Sequence, residues 1–367
     1  MSKQGNKIVI VGGGIIGCST AYFLTKLGQK NVTVVEAVDI AHAASGRAGG
    51  FLALDWCDGG KTGTLARRSF KLHETLSSEL AVDCGYRKMQ TLSVGLSERN
   101  SSDANSKQKQ CFKPEWVDGN VLSSDVIGTT KTTAQVHPKL LTQAFIDAAM
   151  KNGANLVNKR VISGKTVDNA VKGVMLEDSS CIDADLVILC MGPWANQGLD
   201  WFSINKKLVT GTRAHSITID VKGKSNIDNT ALFLAYEGDP EVYPRPDGTV
   251  YVCGSAAAEH APLPENPKDV IFDSTACDQI KALAGQVCLE LKNAENYSKS
   301  ACYLPHSEDG TPIIGKVPMM NGLYMAAGHS CWGILQGPAT GEAMAELVSL
   351  GKCSHVDLSP FDPSRFF

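Results

Sequence analysis

Several things are missing from this sequence, and each absence removes a class of protein. No uninterrupted apolar run approaches the ~18 residues of a membrane-crossing helix. Basic charge is not in excess: 35 Lys and Arg stand against 38 Asp and Glu, a formal net charge of −3, so nothing marks a nucleic-acid binder. The twelve cysteines include no C-x-x-C pair and no Cys/His grouping with zinc spacing, and no metal site is expected. The chain is also too long for a disulfide-stapled mini-domain. Cys18, Cys190, Cys253 and Cys288 fall inside apolar segments, which reads as buried free thiols in a reducing compartment, the cytoplasm. Residues 1–7 are polar and carry neither a secretory apolar core nor an Arg-rich transit pattern.

At 367 residues, with 43% apolar and 20% charged side chains, the chain is globular and suits two domains at ~100–200 residues each. What it has in quantity is glycine. The 35 glycines cluster at 12–17, 46–50, 59–63 and 310–341.

Residues 8–11 form a short β-branched apolar run, the mark of a strand buried on both faces. They lead into Gly12-Gly13-Gly14-Ile15-Ile16-Gly17, then a helical period that stops near Gly28. Residues 32–35 read as a second buried strand, closed by Glu36 and Ala37. This is strand, Gly-x-Gly-x-x-Gly, helix, strand, acid. Gly12 permits the tight turn, Gly14 lets backbone approach a pyrophosphate, and Gly17 lets helix pack on sheet. The helix N-terminus faces the phosphates. Glu36 is positioned to accept from a ribose 2′-OH and disfavours a 2′-phosphate.

The fingerprint by itself does not separate FAD from NAD. Residues 43–51 form a small, polar segment with one cation, able to pass beneath a long cofactor; Ser45 can donate to phosphate, Gly46 and Gly49 give flexibility, and Arg47 can neutralise charge. Near the other end, residues 322–328 read as a buried strand and 328–334 as a second glycine turn, Gly328-His329-Ser330-Cys331-Trp332-Gly333-Ile334. A small-residue helix over 339–348 follows. A glycine turn at a helix start suits the electron-accepting edge of a flavin, where negative charge develops on reduction.

Taken in order, these motifs resemble the D-amino-acid-oxidase-like FAD-dependent oxidoreductases, the superfamily of glycine oxidase and sarcosine oxidase. The resemblance rests on the opening fingerprint, Ala44-Ser45-Gly46, the strand 184–190 ending in Met191-Gly192-Pro193-Trp194, and Tyr243-Pro244-Arg245-Pro246-Asp247-Gly248. It continues through the Asp309-to-Gly315 run, Gly328-His329-Ser330 and the closing segment 360–366. It covers essentially the whole chain. Within the superfamily the sequence is similar to poorly characterised eukaryotic oxidoreductases that carry a Cys-Tyr-Leu-Pro run.

The resemblance implies an α/β fold: a Rossmann-like FAD-binding domain (1–85, 131–205 and 301–367) interleaved with a mostly antiparallel β-sheet substrate domain (86–130 and 206–300). Helices are expected over 62–80, 137–150 and 281–291, a hairpin over 171–182, and a polar, mobile loop over 100–110. The resemblance also implies hydride removal from a carbon next to nitrogen to flavin N5, with a small amine or amino-acid derivative as substrate and oxygen as acceptor. Cofactor contacts are expected from Gly12, Gly14, Ile15, Ile16, Gly17, Glu36, Ala37, Ser45, Gly46, Arg47 and Gly49. Gly192, Trp194, Cys302, Gly328, His329, Ser330, Trp332, Gly333 and Ile334 complete that set.

Two departures bear on chemistry. Glycine-oxidase-like members place a substrate-binding arginine where this chain has Leu304, and sarcosine-oxidase-like members place an oxygen-activating lysine where it has Leu335. Arg245 is the candidate replacement anchor, against an ordinary ion-pair role, with Arg213 and His215 behind it. His329 is the other catalytic candidate, against a structural role. Cys302 lies seven residues before Asp309, the offset of a flavin-attaching cysteine in sarcosine-oxidase-like members, against a plain buried thiol. Two further functions stay open: a flavin dehydrogenase of a hydroxy acid, and a flavin-loaded scaffold with a protein partner in trafficking or regulation.

Overall fold

The computed structural model describes residues 5–97, 111–222, 227–236, 238–254 and 261–367; the expected loop over 100–110 lies outside them. A six-stranded sheet runs in the order Ile313–Lys316, Leu323–Ala327, Leu186–Leu189, Ile8–Val11, Val32–Glu36, Asn155–Asn158. All pairs are parallel except the first, at the edge.

Both faces of this sheet are covered, which is why its strands read as continuous apolar runs. Ile8, Ile10, Val32, Val34 and Ile188 pack with the helices Ile15–Lys26, Pro138–Lys151 and Gly333–Leu350. Val9, Val11, Val35, Val187 and Leu189 pack on the other side with Val174, Leu199 and Phe202. That second cover is a three-stranded antiparallel sheet of Val161–Val167, Ala170–Leu176 and Cys181–Asp183, which contains the expected hairpin.

A seven-stranded sheet carries the rest. Its order is Tyr297–Ser307, Val209–Asp220, Thr249–Cys253, Glu241–Pro244, Thr230–Ala235, Gln90–Ser97, Asn120–Gly128. Only Thr230–Ala235 and Gln90–Ser97 pair in parallel. Ile217, Ile219, Leu232, Val242, Val250 and Val252 pack under the helix Ser274–Val287. Alternate residues Tyr243, Tyr251 and Ala231 form a separate cluster with Phe51, Phe233 and Cys253, as period-2 alternation requires. Strand Tyr297–Ser307 runs through position 301 and pairs with Val209–Asp220 along its length, so the boundary expected there falls inside one strand.

Two expected helices differ in extent. The one placed at 281–291 starts at Ser274, where the Asp273 side chain accepts from Ala276 N–H at 3.1 Å. It ends before Cys288, which is extended at φ −150° and separates it from a short helix Leu289–Asn293. The one placed at 339–348 begins at Gly333 and continues through Pro338 to Leu350. Proline lacks the N–H that would bond Ile334 carbonyl, and Ala339 N–H donates instead to Ser69 Oγ at 3.0 Å. The single His73 Nε2–H is shared between the two carbonyls left without donors, 3.0 Å from Ile334 carbonyl and 3.1 Å from Leu335 carbonyl. Ser69 and His73 are one turn apart on the helix Gly63–Glu79; burial pushes the His73 imidazole down to about 4, so it stays neutral.

The chain ends meet through small residues. A Cβ at Gly337 would lie 2.7 Å from Ile15, and one at Gly341 2.4 Å from Ser19 Oγ. Ser19 Oγ donates to Gly337 carbonyl at 3.0 Å. The closing segment docks by Arg365, which pairs with Asp309 at 2.9 Å and donates to Thr311 carbonyl at 2.6 Å.

Candidate active site

A cavity of about 440 Å³ lies between the six-stranded sheet's glycine turns and the inner face of the seven-stranded sheet. At one end the chain turns sharply after Val11. Gly12 has φ +113°, and a Cβ there would lie 2.3 Å from Cys190 carbonyl oxygen. Gly14 is the N-cap of the helix Ile15–Lys26 and offers no side-chain cap. Ser45 fills that role from another segment: its Oγ accepts from Ile15 N–H at 2.9 Å, which leaves its own proton free to donate toward the cavity. Glu36 accepts from Gly13 N–H at 2.6 Å and from Val38 N–H at 2.9 Å. Burial raises its carboxyl against these bonds.

Further along, Gly192 has φ +53° and a Cβ there would meet nothing within 4 Å. Trp194 donates to Pro264 carbonyl at 2.7 Å and closes the wall. The loop 47–49 is fixed from outside. Arg47 donates to Ala301 carbonyl, Tyr251 OH donates to Arg47 carbonyl at 3.1 Å, and Arg245 Nη2 donates to Ala48 carbonyl at 2.9 Å.

The far end is aromatic and sulfur-rich. Tyr243 stacks on Tyr251 at 6.1 Å and on Phe51 at 5.6 Å. Cys253, Cys302, Leu304, Cys331 and Tyr251 line the cavity with Glu241. Burial pushes the Cys302 thiol up to about 11, with the Arg47 charge opposing.

Residues 7–347 match the DAO family, described as FAD dependent oxidoreductase. The chain belongs to the DAO family of FAD-dependent oxidoreductases. It is 34% identical over 397 residues to the oxidoreductase C1F5.03c of Schizosaccharomyces pombe, covering 99% of each chain. It is 26% identical to glycine oxidase of Bacillus licheniformis, covering 93% of this chain and 92% of that one. Among solved structures, glycine oxidase from Geobacillus kaustophilus superposes with a TM-score of 0.82 at 21% identity, covering 100% of both chains. That likeness establishes the fold.

The residues present fit FAD, the cofactor of this family. Gly192 opens onto the cavity. His42 lines the cavity, and its buried Nε2 has no partner among the described residues. This DAO-family chain brings Gly12, Gly14, Ile15, Ile16, Glu36, Ala37, Ser45, Arg47 and Gly49 to one wall, and Gly192, Trp194, Cys302, His329, Ser330, Gly333 and Ile334 along the rest.

Five expected residues stand behind the wall. Gly17 and Gly46 are packing sites, where a Cβ would fall 1.9 Å from Gly12 oxygen and 2.0 Å from Ala41 oxygen. Gly328 has φ +84° and turns the chain against Ser307. Trp332 packs edge-on to Trp56 at 6.4 Å. Arg245 lies against the outer side of Tyr251, 5.1 Å from the ring, with its guanidinium engaged by the 47–49 loop. Arg245, the candidate substrate anchor, lies outside the cavity lining, and its buried Nε has no partner among the described residues.

His329 lines the cavity; burial pushes its imidazole down to about 3, and its Nε2 lies 3.0 Å from Thr340 Oγ1. Leu335 is buried and outside the lining. His215 lines the cavity and its Nε2 accepts from Asp273 N–H at 2.9 Å. Sequence reasoning missed His42, Glu241 and Cys253. The alternation in Glu241-Val242-Tyr243 was the available signal, because it puts Glu241 on the face of Tyr243.

Proposed function

We propose that this DAO-family enzyme oxidises the C–N bond of a small amine or amino-acid derivative, with oxygen as acceptor. The observation that carries the reading is the continuity of the cavity. One space runs from the Gly-x-Gly-x-x-Gly turn to the aromatic inner face of the seven-stranded sheet. Relatives and structural neighbours named glycine oxidase, sarcosine dehydrogenase and iminodiacetate oxidase support it.

The division of labour follows the chain. Residues 1–85, 131–205 and 301–367 hold the nucleotide, and 86–130 with 206–300 cover the substrate; strand Tyr297–Ser307 is shared. Gly14, Ser45 and the helix start at Ile15 would hold the pyrophosphate, Glu36 the ribose, and Gly333 and Ile334 the flavin edge. When bound, FAD supplies the hydride acceptor. The chain orients the donor carbon, keeps water out with the Phe51, Trp56, Phe233 and Tyr243 cluster, and leaves His329 uncharged. The low-charge environment left by Leu304 and Leu335 makes oxygen turnover slow.

The test is anaerobic mixing of the holoenzyme with amines, amino acids and hydroxy acids, following loss of the flavin absorbance, then peroxide release on admitting air. Bleaching by an amine or amino acid supports the reading. Bleaching by hydroxy acids alone transfers the enzyme to C–O chemistry. Failure of every donor to bleach a flavin-loaded protein favours a scaffold.

A further inference from the structure

Glu241 is unused by the cofactor reading, and its position is distinctive. It starts the strand Glu241–Pro244 and pairs with Cys253. Its side chain faces the cavity on the same side as Tyr243 and Tyr251. Tyr243 OH donates to Glu241 Oε2 at 2.5 Å, and Cys253 Sγ lies 3.5 Å from the same oxygen. No salt bridge to it is seen among the described residues, and another carboxylate, Asp239, acts to raise its carboxyl. Both donors sit on one oxygen, so Oε1 remains for a ligand. Burial raises the carboxyl while the two bonds lower it.

The surrounding cations are turned elsewhere. Arg47 donates to Ala301 carbonyl. Arg245 is behind Tyr251 and bonded to Ala48 carbonyl. Lys159 and Arg160 follow the strand Asn155–Asn158, whose Asn158 pairs with Glu36, so they belong to the ribose end; Arg160 pairs with Glu265 at 2.7 Å. His329 is neutral. Leu304 lines the wall beside Cys302. A substrate carboxylate entering this end would meet a like charge and, among the described residues lining the cavity, no free bidentate partner. An ammonium would meet a carboxylate oxygen able to accept a charge-assisted hydrogen bond.

We propose that Glu241 is the specificity-determining residue of the substrate end, and that the substrate is a small alkylamine bearing an ammonium and no carboxylate. This rests on the C–N reading above and narrows it. Glu241 takes the ammonium through a charge-assisted hydrogen bond, and Tyr243 and Cys253 hold the carboxylate in place for it.

The test uses holoenzyme under nitrogen and a matched pair: propylamine, and 2-aminobutyrate, which is propylamine with a carboxylate on the carbon bearing nitrogen. Dissociation constants come from calorimetry and from perturbation of the visible flavin spectrum. Propylamine is expected to bind at least tenfold more tightly than 2-aminobutyrate. Glu241→Gln, which keeps size and the Tyr243 bond, is expected to weaken propylamine at least tenfold and to narrow the ratio. The wild-type ratio decides even where the variant does not fold. Tighter binding of 2-aminobutyrate, no binding of propylamine, or an unchanged ratio in Glu241→Gln overturns the proposal. Bleaching by 2-aminobutyrate but not by propylamine keeps C–N chemistry and sinks the Glu241 assignment. Preferential propylamine binding with no bleaching by any donor supports the site and removes the catalytic reading.

Discussion

Cys302 reaches the cavity, but its thiol is tuned against nucleophilic attachment. It lines the cavity at 8% exposure, and burial drives its thiol to about 11 in spite of Arg47. The nucleophile in such attachment is the thiolate, a minor species at neutral pH here. Acid precipitation of purified holoenzyme is therefore expected to leave the yellow colour in the supernatant. A yellow pellet that turns colourless in Cys302→Ser would overturn this. The offset to Asp309 singled the residue out; its protonation state was not legible, because that depends on burial and on Arg47 arriving from a distant segment. Arg245 shows the same limit. It follows the strand Glu241–Pro244 of the seven-stranded sheet, and its guanidinium bonds the carbonyl of Ala48, a contact the linear order does not contain.

At the scale of elements, glycines with similar sequence settings do different work. Gly17 and Gly333 each stand at a glycine turn in the first turn of a helix. At Gly17 a Cβ would lie 1.9 Å from Gly12 oxygen, whereas at Gly333 the nearest atom is His329 Cβ at 3.7 Å. Gly17→Ala is expected to destabilise the FAD-free protein by roughly 3 kcal/mol through overpacking, read as a lower denaturant midpoint. Gly333→Ala is expected to leave the FAD-free midpoint within about 1 kcal/mol of wild type while weakening FAD binding tenfold or more, since Gly333 lines the cavity. Equal effects of the two on FAD-free stability would refute the distinction.

The helix Gly333–Leu350 adds a second lesson. The helix expected over 339–348 starts six residues earlier, at Gly333, and runs through Pro338, a residue that ordinarily breaks a helix. From a helix far earlier in the chain, His73 takes up the two carbonyls left without their helical donors, and Ser69 Oγ accepts the Ala339 N–H. Replacing His73 with Leu is expected to cost about 2 kcal/mol by stranding two buried acceptors and to loosen FAD at the adjoining turn. Thermal melts with and without FAD measure both; unchanged melting in both conditions would remove His73 from this role.

For the whole molecule, the cavity is walled by both large sheets and by segments from residue 11 to residue 334. Filling it ties those parts together. FAD at 100 times its dissociation constant is expected to add about 2.7 kcal/mol, raising Tm in a single transition. ADP, which reaches only the fingerprint end, is expected to raise it less. Two separate transitions, with one insensitive to FAD, would contradict a shared site.

The local chemistry of the fingerprint was determined by sequence alone. A buried parallel strand must be apolar, a tight turn under a pyrophosphate must be glycine, and Glu36 must follow the second strand; each requirement acts over a few residues. Tertiary structure decided everything that depends on which distant segments meet. It put Ser45 on the Ile15 N–H, His73 under Pro338, Arg245 outside the wall and Glu241 inside it. Burial and hydrogen-bond satisfaction set those outcomes, and both are properties of contacts the linear order does not contain.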